Sequence, residues 1–323
     1  MARGHIGLPI KAVRTLKKAD LWTGLLAIDV DEAARTRVLT METDFRSRIE
    51  TFVASRPLAN AKFSKFSTSP YVLLVHSAMN NYNRVSQIEH DIIPAKAFSS
   101  IETAAGKMIE LVTFPVYGWQ PVASTMTSSY SALDGRKISG DVLTVATLKS
   151  GPRCLNDEMA ENFADTILLH APTWAADANV EHVEFTYGVL YGTPMQSNKK
   201  DWHILRNLED KLPAGAFSLV PSGSWSSTFV HKGISINAAI RIGTDWWTYL
   251  GGSSATYIEV WIALIRACVA IGPADPAGYP FVISDLEDIV SGVPAGFNVA
   301  LLQGSQLQWL LFIARHFSDV LVP

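Results

Sequence analysis

Residues 142–162, VLTVATLKSGPRCLNDEMAEN, pass from an alternating apolar run ending on Lys149, through Gly151-Pro152, into an acidic segment. Period-two alternation predicts a strand up to the lysine, and Gly-Pro punctuates it. Leu155, Met159, Phe163 and Ile167 then recur every four residues, the pattern of an amphipathic helix. Upstream, residues 130–138 (YSALDGRKI) read as a partner strand, with Ser139-Gly140-Asp141 as a hairpin signal. If the chain turns about Gly140 and Asp141, Asp134 falls opposite Thr147. Alternate residues of a strand share a face, so Thr147 and Lys149 point the same way. Asp134, Thr147 and Lys149 are therefore expected at one end of a sheet.

Working outward, VEFTYGVLYG (183–192) and GISINAAIRIG (233–243) read as strands, and KKDWHILRNLEDKL (199–212) as a helix. Residues 244–269 read as one long helix, and SSIETAAGKMIELVTFPVYGW as a helix capped by Ser99 or Ser100 and stopped before Pro115. Residues 11–57 carry helical spacing, and residues 69–82 a further short helical segment broken by Asn80, Asn81 and Asn83. The alternation of helices and strands predicts an α/β architecture, a mixed central sheet flanked by helices. Residues 1–95 are expected to form a mainly helical N-terminal region, suited to embracing a duplex or building a dimer. Residues 96–323 form the core with C-terminal elaborations.

With 323 residues, 48% hydrophobic and 18% charged, the chain has ample material for a buried core. Cys154 and Cys268 are the only cysteines and form no CxxC array, so neither a disulfide framework nor a zinc site is expected. His170, His182, His203 and His231 show no metal-ligand spacing. The N-terminus lacks a secretory apolar core, and the most apolar run is interrupted by Glu259 and Arg266. A cytoplasmic protein without membrane contact is expected. P-loop, dinucleotide-fold, HExxH and GxSxG signatures are absent. Net charge is −3, but residues 1–70 hold twelve Lys/Arg against seven Asp/Glu, and a basic half of this kind can meet phosphate.

An Asp on one strand, an acid-x-Lys position on the next and a helix behind resemble the PD-(D/E)XK nucleases. LKSGP followed by LND is similar to the type II restriction endonucleases of that superfamily. The likeness extends more weakly to SSIETAAGKMIE, VLYGTPMQSNKKDW and IRIGTDWWTYLGG, covering residues 96–270. It implies a restriction-endonuclease-like fold and Mg²⁺-dependent, sequence-specific hydrolysis of double-stranded DNA, leaving 5′-phosphate and 3′-hydroxyl ends. A homodimer and a companion DNA methyltransferase are also implied. Repair or recombination cleavage on the same scaffold, or noncatalytic DNA binding, are the alternatives.

Where the family has an acid two residues before the lysine, this chain has Thr147. Some relatives carry that acid on the following helix about a dozen residues beyond the lysine, and Glu161 stands there. The resemblance thus implies Asp134, Lys149 and Glu161 as catalytic residues, with Asp134, Glu161 and the Leu148 carbonyl as Mg²⁺ ligands. Glu110, Asp141 and Glu158 are alternative acids. Hard Mg²⁺ takes oxygen donors, and an ammonium stabilises charge developing on a phosphate. Arg153, Gln196, Asn198, Lys199 and Lys200 are candidate DNA contacts because their donors suit phosphates and purine edges. Against these stand plainer roles: a strand-end lysine snorkelling to water, helix-start acids, a turn aspartate and a solvated loop. Trp246 and Trp247 read as core or subunit contacts rather than stacking platforms.

Overall fold

The computed structural model describes residues 16–55, 70–123, 129–219 and 225–318. The basic segment preceding residue 16, and Pro57 as a helix stop, lie outside them. Period-two alternation around Lys149 becomes β2 (Gly135–Ser139) and β3 (Val142–Lys149), an antiparallel hairpin in which Ser139 pairs with Val142 and Gly135 with Ala146. Gly140 occupies the first turn position at φ 59°, a left-handed value that glycine adopts without a Cβ penalty. The expected register is the observed one, since the Asp134 N–H donates to the Ala146 carbonyl at 2.8 Å.

A seven-stranded mixed sheet is built around this hairpin in the order β1-β2-β3-β4-β7-β6-β5. β1 (Gln120–Pro121) and β2 are antiparallel, while β3, β4 (His182–Val189) and β7 (Ile234–Ile242) run parallel. β6 (Ser226–His231) and β5 (Phe217–Leu219) complete an antiparallel edge. β1, β5 and β6 were not expected from the sequence. They are short or polar, and their pairing comes from neighbours rather than from their own apolar period.

β3 sorts its side chains between two cores. Leu143 and Val145 join Phe185 and Tyr187 beneath α5 (Asp157–Ala178) and α6 (His203–Lys211). Ala146 and Leu148 face the opposite layer of α1 (Lys18–Val30), α2 (Glu32–Ala54), α4 (Glu89–Val116), α7 (Thr244–Gly251), α8 (Thr256–Cys268) and α10 (Ser305–Phe317). Trp246 and Trp247 are buried in that layer, as a core role requires, and each such side chain contributes roughly 1.5–3 kcal/mol or more of burial. Two further helices, α3 (Pro70–Met79) and α9 (Glu287–Gly292), complete the described helical set.

Three helix boundaries differ from expectation. α4 starts at Glu89, ten residues before Ser99, and continues through Pro115. Pro94 and Pro115 lie near its two ends, where a lost backbone donor is best tolerated. The stretch read as one helix over 244–269 is two, because Gly252 takes φ 71° and ends α7. Finally, α4 crosses the boundary placed at residue 95.

The N-terminal helices pack into the same core as the later ones. Leu21 and Leu25 of α1, and Val38, Met41 and Phe45 of α2, are buried with α8 residues such as Ile258 and Ile262. An ion pair fixes the packing: Arg37 grips the buried Glu259 carboxylate through Nε at 2.7 Å and Nη2 at 2.6 Å, and the Tyr117 hydroxyl donates to it at 2.9 Å. Burial, then the charge and hydrogen bond of Glu259, hold the Tyr117 phenol protonated far above its ordinary range.

Candidate active site

β3 ends where the sheet opens toward the C-terminal part of α4. The Leu148 N–H donates to Asp134 Oδ2 at 2.7 Å, and the Thr147 hydroxyl approaches the same oxygen at 3.4 Å. The Lys149 carbonyl accepts from the Leu190 N–H on the β4 side. N–H and C=O of one strand residue point to the same edge and successive residues alternate, so the Leu148 carbonyl lies on the Asp134 side. The aspartate thus occupies a fixed place beside a backbone oxygen.

Glu110, on α4, faces this corner. It is only 9% exposed, and Lys107 one turn earlier donates to its Oε2 at 2.7 Å. Its carboxyl is pushed above the ordinary value by burial and next by the negative charge of Asp134, while Lys107 and Lys149 oppose the rise. Two carboxylates that repel and a nearby ammonium make a local charge pattern that a cation would relieve. Lys149 is partly exposed, and its Nζ stands 5.8 Å from the centre of the Phe163 ring on α5.

Phe163 also decides the placement of Glu161. Two residues along a helix turn through about 200°, so Glu161 leaves α5 on nearly the opposite side from the ring beneath Lys149. Glu161 instead accepts from Lys211 of α6 at 3.2 Å, and Lys211 bridges on to Asp165 at 2.8 Å. The structure therefore brings Glu110, and not Glu161, to the Asp134–Lys149 corner. Helix phase is the physical reason: the spacing of twelve residues from Lys149 counts chain length but not rotation.

The remaining acids lie elsewhere. Asp141 is in the hairpin turn at the other end of β3, about 23 Å along a strand of that length. There its Oδ1 accepts from the Glu181 N–H at 3.2 Å and its Oδ2 lies 3.4 Å from His182. Glu158 is exposed in the first turn of α5. Beside it Asp157 takes both Lys200, at 2.7 Å, and His203, at 2.9 Å, which together hold its carboxyl below the ordinary value.

The candidate DNA contacts are largely engaged in building a loop. Asn198 Nδ2 donates to the Leu155 carbonyl at 2.9 Å, and Arg153 Nε to the Gln196 carbonyl at 3.1 Å. Gln196 reaches the His316 carbonyl, Lys199 reaches the Pro194 carbonyl, and Lys200 is the Asp157 partner. These polar side chains lock residues 193–202 against α5 and α10. Arg153 remains exposed beside the end of β3.

Two residues of the corner escaped the sequence reading. Lys107 is recognisable afterwards by its i,i+3 spacing to Glu110. Phe163 belongs to the apolar series of α5, and only the packing of that helix reveals it beneath Lys149. Among the described residues no three His, Cys, Asp or Glu side chains gather as a metal-binding group. The oxygen donors at the corner are two carboxylates and one carbonyl, a set compatible with Mg²⁺, which keeps several of its waters and binds through one or two carboxylates. No helix among the described residues is long and apolar enough to cross a membrane. No family model matches the chain, and no curated protein matches it either.

Proposed function

We propose that this chain is a Mg²⁺-dependent type II restriction endonuclease, with Asp134, Glu110 and Lys149 as its hydrolytic residues. The observation that carries the reading is the electrostatic grouping of two carboxylates and one ammonium at the end of β3, where Glu110 responds to both Asp134 and Lys149. Bound Mg²⁺ would neutralise phosphoryl oxygens and acidify a water. Asp134 would hold it, fixed by the Leu148 amide, with the Leu148 carbonyl and Glu110 as further oxygen donors. Lys149, resting against Phe163, would hold its ammonium toward the scissile phosphate and stabilise the negative charge that develops there. Thr147 takes the strand position usual for an acid and instead steadies Asp134 by its hydroxyl. Double-stranded DNA is the substrate on this reading, with a homodimer matching a two-fold site and a methyltransferase protecting the host DNA.

Incubating the protein with phage DNA and Mg²⁺, then sequencing the fragment ends, tests it. Discrete fragments with one common end sequence, 5′-phosphate and 3′-hydroxyl, are expected. Random or structure-dependent nicking would replace the reading by a repair or recombination nuclease. DNA binding without cleavage in Mg²⁺ or Mn²⁺ would replace it by a noncatalytic role.

A further inference from the structure

Most of the apolar side chains of this protein are in its two cores, but α3 is an exception. Its sequence PYVLLVHSAM is apolar around the whole helix, and Val72, Leu74, Val75 and Met79 are 58–77% exposed. A helix apolar on all sides is a buried helix, so this one has cover missing. It is anchored to the start of α4, where His76 Nε2 lies 2.9 Å from Asp91 Oδ2.

The same protein offers a cover of matching character. Farther along α4, Ala104, Ala105 and Met108 line a cavity of about 300 Å³ with Ile49 and Phe52 of α2, and its lining is almost wholly apolar. Asp91, Phe98 and Ala105 are seven residues apart, and two helical turns bring each back to the same face about 10.5 Å beyond the last. Phe98, midway between the anchor and the cavity, is 76% exposed. A two-fold axis through the Phe98 region, perpendicular to α4, carries residue 91 of one copy onto residue 105 of the other.

We infer that a second copy of this chain docks here, each α3 filling the α2–α4 groove of its partner with Phe98 beside the axis. The pairing is isologous and closes on itself, leaving neither helix nor groove uncovered. Fully burying one Val, Leu or Met side chain removes roughly 60–120 Å² from water, by the transfer free energy of 1.5–3 kcal/mol at 25 cal/mol per Å². The exposed side chains of α3, Phe98 and Ile101 together with the groove lining approach the roughly 800 Å² per partner of a stable interface. The proposal goes beyond the nuclease reading and does not depend on it.

The test uses the full chain without DNA or metal, by light scattering after size exclusion at micromolar concentration. A dimer is expected. The double substitution Leu74→Glu with Val75→Glu, at exposed positions, should yield a monomer with unchanged circular dichroism. Ala105→Trp, which plugs the groove, should weaken dimerisation at least tenfold. A monomeric parent would overturn the proposal, whether the groove is covered by another segment of the chain or by a different protein. A dimer that survives the α3 substitutions, or one broken by them but untouched by Ala105→Trp, would equally overturn it. Since no DNA is present, loss of the nuclease reading leaves the expected result unchanged.

Discussion

The Leu148 amide and the Asp134 carboxylate are joined by a hydrogen bond of 2.7 Å that crosses from β3 to the residue just before β2. It makes the candidate metal ligand part of the sheet rather than of a loose turn. Asp134→Asn keeps an acceptor for that amide but removes the charge; Asp134→Ala removes both. The first should lower Mg²⁺-dependent cleavage by at least 10³-fold while leaving the thermal midpoint nearly unchanged. The second should also destabilise by about 1–2 kcal/mol, because the Leu148 N–H loses its acceptor. Paired cleavage assays and thermal melts check both.

Lys149→Ala should abolish cleavage and retain DNA binding within a few-fold, as measured by gel retardation in Ca²⁺. The side chain makes one cation–π approach to Phe163 and carries little of the fold. Phe163→Leu, which keeps the volume roughly but removes the ring's π face, should reduce turnover more than substrate affinity.

The proton affinity of Glu110 gives a prediction with a definite sign. Its folded-state pKa is raised, so the carboxyl favours the folded state below its unfolded pKa and that advantage is lost as pH rises through the folded value. At neutral pH the ionised group is therefore a burden. Glu110→Gln should raise the thermal midpoint at pH 7.5 relative to wild type, and the gain should shrink toward pH 4. Mg²⁺ should stabilise wild type more than the variant, since a ligand that binds only the native state adds its binding free energy to folding.

Arg37 and Glu259 tie α2 to α8 in a pair whose carboxylate is buried. Arg37→Met leaves that carboxylate without its main partner and should cost about 3 kcal/mol, read as a lower urea midpoint. Adding Glu259→Leu to the same chain should recover much of the loss, because two apolar side chains need no charge compensation.

The sheet centre was legible because its chemistry is local. Alternation from Val142 to Lys149 and a two-residue turn at Gly140-Asp141 fix both the strands and their register, and hence the meeting of Asp134 with Thr147. What was not legible depends on rotation and on distant packing. Glu161 has a plausible spacing from Lys149, yet the phase of α5 turns it to Lys211. Glu110 reads as a surface residue in its own helix and becomes buried only when α4 meets the hairpin. The donors in residues 193–202 have the composition of a DNA-reading loop, but their hydrogen bonds to Leu155, Pro194 and His316 hold the loop's own shape.

Single-turnover cleavage of phage DNA in Mg²⁺ by Glu110→Gln and by Glu161→Gln compares the two acids most directly. Loss of at least 10²-fold in the first, with the second within twofold of wild type, is the predicted result. Full activity in Glu110→Gln alongside a dead Glu161→Gln would contradict the site built here around Asp134, Lys149 and the buried acid of α4.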